Sequence, residues 1–319
     1  MHIDLPIEAL KQYKGKNPKP ADFDMFWEDA LAALDAVSLS YQLEAVDLGL
    51  RQAEAYYLSF TGVGGAKIYV KWVKPLKETA TGQAVVMFHG YSVDSGDWID
   101  KLAYAAEGIH VFALDCRGQG GRSEDLTATT GPTLRGHIIR GLHEEDPHKL
   151  YYRSVFLDAV QLIRIIGQME GIDEQQIGTY GQSQGGALAL AAAALVPEIN
   201  QTFCVYPFLS DYQRAWEMDV SNSAYEEIAY YFRNFDPMHK REREIFTRLG
   251  YIDLQHLAPR IKAEVIMLTG MRDVICPPST QYAVYNKLTT RKTHHLYHEY
   301  GHEFLPHHAD DALMFFKGR

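Results

Sequence analysis

The sequence predicts an α/β fold with a mostly parallel central sheet and helices on both faces. Short runs of apolar residues are typical of parallel strands that are buried on both sides, and the run at 84–88 is the clearest of them. Helical patterns separate the runs from one another, as expected when crossovers join parallel strands. Residues 67–73 alternate between polar and apolar side chains, which predicts a strand near a sheet edge with one face in water.

The first predicted element is an amphipathic helix at 22–37, whose apolar face packs on a core. That face holds Phe23, Phe26, Trp27, Ala30, Leu31 and Leu34. β-Type segments follow at 44–50, 55–60 and 66–73, and a turn at 79–83 leads into the strand at 84–88. The later predicted strands are 109–114, the segment from Ile177, 202–206, 263–268 and 292–298. The later predicted helices are 151–169, the stretch that ends at Leu195, and 309–316.

The segment 207–259 is predicted to be a helical insertion within a single domain that spans 1–319. Its best helical patterns are 224–232 and 240–249. Its Tyr and Phe content suits either a wall of a substrate pocket or simply the core of the insertion. The polar stretch 127–150 is too long for an ordinary connection, so it is either a functional, contact-making excursion or a solvated loop.

Composition narrows the class of protein. The chain has 319 residues, 46% hydrophobic residues and a formal net charge of −10. Nucleic acids and anionic membrane surfaces bind clustered Lys and Arg, so neither is an expected partner. The N-terminus lacks the pattern of a signal peptide, and no stretch is long and apolar enough to span a bilayer. Cys116, Cys204 and Cys276 are too far apart for a disulfide framework or a metal site, and a cytoplasmic location is expected.

The first chemical motif lies at 177–195. A β-prone segment runs into Gly181-Gln182-Ser183-Gln184-Gly185, and an Ala- and Leu-rich helix follows at once. This is the Gly-x-Ser-x-Gly pattern between a strand and a helix, which in the α/β-hydrolase fold places a nucleophilic serine on a sharp, strained turn. We therefore predict Ser183 as a nucleophile. The alternative is a glycine-rich turn capped by a serine.

The loop after the strand 84–88 is predicted to supply half of an oxyanion hole. It begins with His89-Gly90, and in α/β-hydrolases such a loop turns a backbone N–H toward the nucleophile. The two donors would be the backbone N–H groups of Tyr91 and of Gln184, the residue after the serine. His89 itself is expected to shape the loop. Taken alone, His89-Gly90 is equally compatible with an ordinary β-turn.

A serine nucleophile needs a base, and the base needs an acid that orients it. The chain order in this fold is Ser, then Asp or Glu, then His. This order selects Asp273, just after the penultimate strand, and His302, just after the last strand, because both would lie at the same sheet edge as Ser183. The alternatives are Asp211 as the acid, and as the base His298 inside the last strand or His307 and His308 at the start of the final helix.

Metal and phosphate chemistry are not expected. His302-Glu303 and His307 resemble a zinc-binding His-Glu-x-x-His motif, but the spacing is one residue too long and Pro306 would interrupt the helix. The glycine-rich loop 115–123 matches no phosphate-binding pattern and is predicted to be a packed structural loop beside the active site. The sequence therefore predicts neither a metal nor a cofactor.

Three motifs together resemble the acetyl xylan esterase and cephalosporin C deacetylase family, carbohydrate esterase family seven. They are Arg117-Gly118-Gln119, Gly181-Gln182-Ser183-Gln184-Gly185 and His302-Glu303, and their spacing, the loop 270–273 and the chain length also fit. The resemblance implies serine-dependent removal of acetyl groups from acetylated xylo-oligosaccharides, other small acetylated sugars and cephalosporin C. It implies Ser183, Asp273 and His302 as the triad, with Tyr91 and Gln184 as oxyanion donors.

The resemblance also implies a homohexamer whose active sites face an internal cavity, and a pocket sized for acetyl. We expect Tyr91, Phe208 and Ile275 to narrow this pocket, because each lies within a few residues of a strand end at the catalytic edge. The segments 44–73 and 127–150 are candidate regions for subunit contacts, the first because a strand near a sheet edge leaves backbone groups unpaired.

Other functions on this fold stay open at this stage. One is a serine peptidase, or an esterase for longer acyl chains, because tertiary contacts shape the acyl pocket. The other is a non-catalytic binding protein, which should have lost at least one member of the triad. All three triad positions are filled here.

Overall fold

The computed structural model describes residues 3–131, 135–219 and 225–318, and strands from these residues form one nine-stranded sheet. The strands are β1 (Tyr41–Val46), β2 (Ala53–Thr61), β3 (Lys67–Pro75), β4 (Ala84–Phe88), β5 (His110–Leu114), β6 (Ile177–Gln182), β7 (Gln201–Val205), β8 (Glu264–Gly270) and β9 (Lys292–Tyr297). Their order is β1-β2-β3-β5-β4-β6-β7-β8-β9. β1, β2, β3 and β5 pair antiparallel in succession, and β5, β4, β6, β7, β8 and β9 run parallel. The predicted mostly parallel sheet is confirmed.

Helices cover both faces of this sheet, as predicted. Those within the described residues are α1 (Ile7–Leu10), α2 (Phe23–Asp35), α3 (Ile99–Ala106), α4 (Tyr151–Ile166), α5 (Gln184–Leu195), α6 (Tyr212–Glu217), α7 (Glu226–Phe235), α8 (Glu242–Leu249), α9 (Leu254–Leu257), α10 (Pro278–Tyr285) and α11 (His308–Phe316). A large core contains side chains of α2, α4 and α5, and a smaller core contains those of α3 and α11. β4 separates the two, because Val86 and Phe88 point into the large core and Val85 and Met87 into the small one.

Some element boundaries differ from the predicted ones. The strand predicted at 44–50 is wrong beyond residue 46, because Gly49 has φ +63° and donates its N–H to Asp47 Oδ1 at 3.0 Å, which forms a turn. The helices α3 and α10 have no predicted counterpart. In α10 nearly every residue is buried, so the sequence shows no polar and apolar faces. In α3, Ile99 is exposed and Lys101 is buried, which inverts the expected pattern.

The segment between β7 and β8 contains α6, α7, α8 and α9. The helix predicted at 240–249 corresponds to α8, and the one predicted at 224–232 corresponds to α7, although residue 224 lies outside the described residues. Tyr212, Ile228 and Phe232 from these helices are buried in the large core. The segment therefore packs onto the sheet domain through an apolar face. Its assignment as an insertion within one domain stays a prediction.

The excursion at 127–150 is held in place by apolar side chains, as far as the structure describes it. Ile138, Ile139 and Leu142 are buried in the large core. The backbone carbonyl of Arg140 accepts a hydrogen bond from the N–H of Tyr151, the first residue of α4. These contacts differ from those of a solvated loop, because a solvated loop would leave its apolar side chains in water.

None of the described helices has the length and the apolar character needed to cross a bilayer. Cys116, Cys204 and Cys276 are buried, and each is a free thiol.

The topology brings the ends of several strands to one edge. β4, β6, β7, β8 and β9 run parallel, so the loops that follow them leave the sheet on the same side. Each of the residues proposed for catalysis lies in or next to one of these loops, as described next.

Candidate active site

Ser183 lies at the sharp turn between β6 and α5, in the predicted strand, turn and helix context. Its backbone has φ 55° and ψ −119°, a conformation that residues other than glycine seldom adopt. Two backbone hydrogen bonds hold it there: Ser183 N–H donates to Val205 O at 2.9 Å, and Phe208 N–H donates to Ser183 O at 3.1 Å. The side chain is half-buried, so the hydroxyl is available at the catalytic edge.

The glycines on either side of Ser183 are required by close backbone contacts. A Cβ on Gly185 would lie 2.0 Å from the carbonyl oxygen of Phe88, at the end of β4. A Cβ on Gly181 would lie 2.2 Å from the carbonyl carbon of Gly185. The motif therefore allows α5 to begin directly against two strands.

His302 and Asp273 meet Ser183 in one hydrogen-bonded chain. His302 lies in the loop after β9 with its Nε2 3.0 Å from Ser183 Oγ and its Nδ1 2.8 Å from Asp273 Oδ2. When Nδ1 carries the ring proton and donates it to the carboxylate, Nε2 accepts the hydrogen bond of the serine hydroxyl. This geometry allows the imidazole to take the serine proton.

The carboxylate of Asp273 is fully buried and is held by its own loop. Its Oδ1 accepts the backbone N–H groups of Ile275 and Cys276, both at 2.8 Å, which leaves Oδ2 for His302. These bonds fix the orientation of the carboxylate. The loop after β8 is therefore built to aim one carboxylate oxygen at the imidazole.

Asp211, the alternative acid, has a different role. It follows β7 with φ 46° and binds the N-terminal segment of the chain. Its Oδ2 accepts the hydroxyl of Tyr13 at 2.7 Å, and its Oδ1 accepts the N–H groups of Lys16 and Asn17 at 2.9 Å. Asp211 thus anchors this segment to the sheet domain, away from His302.

The alternative bases also lie elsewhere. His298 was predicted inside the last strand, which is wrong, because β9 ends at Tyr297 and His298 is exposed in the following turn. His307 is exposed at the N-terminal end of α11 with φ +67°. His308 is buried, donates from Nδ1 to the carbonyl of Leu305 at 2.6 Å, and places Nε2 2.9 Å from Gln182 Nε2.

The loop with Tyr91 and the start of α5 lie against each other. Gln184 is the first residue of α5, so its backbone N–H has no partner within the helix. Its side-chain amide donates to the carbonyl of Gly90 at 3.3 Å, next to Tyr91. His89 shapes this loop, because its Nε2 accepts the N–H of Cys116 at 2.9 Å and its Nδ1 donates to Gly90 O at 2.7 Å. Burial lowers the pKa of His89, which keeps the ring neutral.

Gln119 is a site residue that the sequence analysis placed in a packed loop and in the Arg117-Gly118-Gln119 motif, without a role of its own. Its Nε2 donates to Gln184 Oε1 at 2.9 Å, and its Oε1 accepts the N–H of Ser92 at 2.8 Å. It therefore joins the loop that contains Tyr91 to the N-terminus of α5, where Gln184 lies. The sequence feature that could have identified Gln119 was its place in the Arg117-Gly118-Gln119 motif. Arg117 of this motif forms a buried ion pair with Asp158 at 2.6 Å.

Tyr206 was also missed as a neighbour of the catalytic edge. Its ring lies against the imidazole of His302, with centroids 4.4 Å apart. The Tyr206 hydroxyl donates to Gln182 Oε1 at 2.9 Å, and Gln182 precedes the serine. The ring therefore limits the motion of the imidazole on one side.

The structure brings two of the three predicted pocket residues into contact. Phe208 is buried and meets the ring of Tyr91 edge-on, with centroids 5.9 Å apart. Phe208 also meets Tyr225 at 4.5 Å. Ile275 is half-buried in the loop of Asp273, where its backbone N–H binds the carboxylate.

One group of described residues has the spacing of metal ligands, and it shares Asp273 and His302 with the proposed triad. Asp273, Cys276 and His302 place their ligand atoms within 4.8 Å of one another. Asp273 and His302 are already hydrogen-bonded to each other. Burial raises the pKa of Cys276 well above its usual value, so the sulfur keeps its proton. These residues suit hydrogen bonding better than metal ligation.

The fold and the arrangement of these residues define a serine hydrolase of the α/β-hydrolase class, with the chain order Ser, Asp, His. Within that class, the chain belongs to the acetyl xylan esterase family. It matches the family described as Acetyl xylan esterase (AXE1) over residues 1–319. The fold and the family that the motifs predicted are thus confirmed.

Solved structures of two acetyl xylan esterases are closely similar. Acetyl xylan esterase 1 from a Thermoanaerobacterium species has a TM-score of 0.95 and 48% identity, with 98% of each chain covered. An acetyl xylan esterase from a Paenibacillus species has a TM-score of 0.93 and 36% identity, covering 98% of this chain and 99% of the other.

An acetyl esterase from Xylanibacter ruminicola is 27% identical over 291 residues, which are 89% of this chain and 63% of that protein. The chain therefore spans less than two thirds of the length of this relative.

The two candidate acids can be separated by matched substitutions. We expect Asp273→Asn to lower the turnover of an acetyl ester by roughly 10⁴-fold, because the amide favours the wrong imidazole tautomer. Asp211→Asn should change turnover little and should lower the stability, since Asp211 binds the N-terminal segment. Turnover of 4-nitrophenyl acetate and thermal unfolding of both variants measure this. A larger loss of turnover in Asp211→Asn would contradict the assignment.

Proposed function

We propose that the chain is a serine esterase that removes acetyl groups from small acetylated substrates through an acetyl-serine intermediate. The substrates are acetylated xylo-oligosaccharides, other small acetylated sugars and cephalosporin C. The observation that carries the proposal is the hydrogen-bonded chain from Ser183 through His302 to Asp273, in a member of the acetyl xylan esterase family. The proposal needs no cofactor, because serine, imidazole and carboxylate suffice for acyl transfer.

Acylation begins when Ser183 Oγ attacks the acetyl carbonyl carbon. His302 Nε2 takes the serine proton, and Asp273 stabilises the imidazolium that forms. The negative charge on the carbonyl oxygen is bound by the backbone N–H groups of Tyr91 and Gln184, and each contributes about 3 kcal/mol to lowering the barrier. The C–O bond to the sugar then breaks, and His302 returns its proton to the leaving alkoxide.

Deacylation repeats these steps with water. His302 takes a proton from the water molecule, whose oxygen attacks the acetyl carbon of the acyl-enzyme. The same two N–H groups bind the second oxyanion. Collapse breaks the bond to Ser183 Oγ, the imidazolium returns the proton to the serine oxygen, and acetate leaves.

We further propose that the segment 207–259 is an insertion in a single domain over 1–319 and forms a wall of the pocket. Phe208, at the start of this segment, meets Tyr91 edge-on. Tyr225, from the same segment, packs behind Phe208. Aromatic side chains in this arrangement resist displacement and so limit the length of the acyl chain.

The acetyl esterase activity has a direct test. The wild-type protein should release acetate from acetylated xylo-oligosaccharides, and Ser183→Ala should fold normally and retain less than about a hundredth of the turnover, since loss of a triad nucleophile costs far more than that. Acetate release and circular dichroism measure the two properties. A wild-type protein without acetate release, or an active Ser183→Ala variant, would contradict the proposal.

The acyl pocket has a separate test. Phe208→Ala and Ile275→Ala should raise kcat/KM for butyrate relative to acetate by about 10-fold or more, because a methylene in a hydrophobic pocket is worth about 1–3 kcal/mol. Phe203→Ala is the matched control, since Phe203 is equally buried but lies in the small core. A series of 4-nitrophenyl esters measures the ratio. An unchanged preference in both variants would place the pocket wall elsewhere.

We also propose that the chain assembles as a homohexamer and works in the cytoplasm. Support for assembly comes from β1, which pairs with β2 on one side and is exposed along most of its length, with Leu43 45% exposed. An exposed edge strand presents unpaired backbone N–H and C=O groups with which another chain can pair. The contact regions proposed are 44–73 and 127–150. The three free, buried thiols are in keeping with a reducing compartment.

The assembly proposal can be tested in solution. Light scattering coupled to size exclusion should give a mass of six chains, the number that the family resemblance implies and one that allows a closed, symmetric assembly. Enclosed active sites should also give higher rates on acetylated xylo-oligosaccharides than on polymeric acetylated xylan. A monomer at micromolar concentration, or equal rates on both substrates, would contradict the cavity while leaving the triad unaffected.

A further inference from the structure

A buried carboxyl group outside the proposed triad joins three segments near the catalytic edge. It belongs to Glu227, the second residue of α7, which is 5% exposed. One carboxyl oxygen accepts a hydrogen bond from the Tyr91 hydroxyl, and the other accepts the backbone N–H of Ile138 at 2.8 Å. The Tyr91 hydroxyl also accepts the N–H of His137 at 2.9 Å. The carboxyl therefore ties α7, the loop after β4 and the segment 136–139 to one another.

The chain is shaped to admit this carboxyl. Gly136 has φ +86°, and a Cβ at this position would lie 2.1 Å from the carboxyl carbon of Glu227. Any other residue would therefore displace the carboxyl. The neighbouring Glu226 is a contrast, because it is half-exposed and pairs with Arg135 at the surface.

The burial and the hydrogen-bond partners of the Glu227 carboxyl indicate a functional role. Burial raises the pKa of Glu227 to about 7, while the hydrogen bonds from Tyr91 and from backbone N–H groups act in the opposite direction. These partners are a hydroxyl and amides, which carry no charge. A buried carboxyl with neutral partners is costly in free energy, and carboxyl groups with shifted pKa values cluster at functional sites.

The group that Glu227 orients is Tyr91, which has two roles in the proposed reaction. Its backbone N–H is a proposed oxyanion donor, and its ring forms the pocket wall with Phe208. The hydroxyl is at the far end of the ring from the backbone. Fixing the hydroxyl therefore fixes both side-chain torsions of Tyr91 and restrains the loop that presents the N–H.

Resting on the proposed function, in which Tyr91 is an oxyanion donor, we propose that Glu227 is a positioning residue for the reaction. It holds the Tyr91 hydroxyl so that the donor N–H and the ring keep their places relative to Ser183. The segment 136–139 and the helix α7 thereby take part in catalysis through Tyr91. Loss of the contact should affect turnover more than ground-state binding, because an oxyanion forms only during the reaction.

The test is a double-mutant cycle of Tyr91→Phe and Glu227→Gln with 4-nitrophenyl acetate. Tyr91→Phe removes the hydroxyl and keeps the ring and the N–H. Glu227→Gln keeps the size and shape of the side chain. Its NH2 group must then face either the Tyr91 hydroxyl or the Ile138 N–H, and because both of these groups donate, one hydrogen bond is lost. Each variant should lower kcat by about 10-fold with KM within about twofold, since a displacement of 1 Å in a catalytic group costs up to 10²-fold.

The double variant should fall no further than either single variant, because both substitutions break the same contact. Glu226→Gln is the matched control on the same helix turn and should retain wild-type kcat. Ser183→Ala gives the baseline of the assay, and thermal unfolding reports the folded fraction of every variant.

Several results would overturn the proposal. These are a wild-type kcat in Tyr91→Phe, additive losses in the double variant, or a loss confined to KM. If Glu227→Gln does not fold, the kcat of Tyr91→Phe decides alone. Failure of the proposed function has a different signature, because Ser183→Ala would then stay active or the wild-type protein would release no acetate, whatever the Glu227 and Tyr91 variants show.

Discussion

A serine at φ 55° and ψ −119° carries about 1–3 kcal/mol of backbone strain, which its neighbours must offset. Two hydrogen bonds to the end of β7 and the residues that follow it hold Ser183 in this conformation. The glycines of the motif let α5 begin against β4 and β6 at the same point. The position of the hydroxyl therefore depends on the three neighbouring strands β4, β6 and β7. The strand order in turn decides how far the loops of Asp273 and His302 lie from this hydroxyl.

Buried polar groups connect the sheet and its helices to the loops of the site. Arg117 donates two hydrogen bonds to Asp158 on α4, at 2.6 and 2.7 Å, and both side chains are nearly fully buried. Removing one partner of such a pair typically costs about 3–5 kcal/mol, because it leaves an uncompensated charge. The pair anchors the loop in which Gln119 reaches both Ser92 and Gln184. A buried ion pair thus anchors the loop of Gln119, which contacts both the loop of Tyr91 and the start of α5.

Where the sequence was informative, the physical reason was local. The run at 84–88 matches β4 at both ends, because a strand buried on both faces has only apolar side chains. Asp273 and His302 could be selected because parallel strands present their C-terminal ends at one edge, so chain order implies proximity. Local residue patterns did not predict the end of β1, where a turn at Gly49 ends the strand. They also did not predict α10, because its nearly complete burial leaves no alternation of polar and apolar faces.

The sequence by itself determined the fold class, the strained serine turn and the residues that could complete a triad, because each depends on short motifs and on strand order. Only the tertiary structure decided which groups Asp211, Gln119 and Glu227 contact. Their hydrogen-bond partners are distant in the chain: the Tyr91 to Glu227 contact spans 136 residues and the Gln119 to Gln184 contact spans 65. A polar side chain in a loop has no periodic signature, so its partner is known only once the chain has packed.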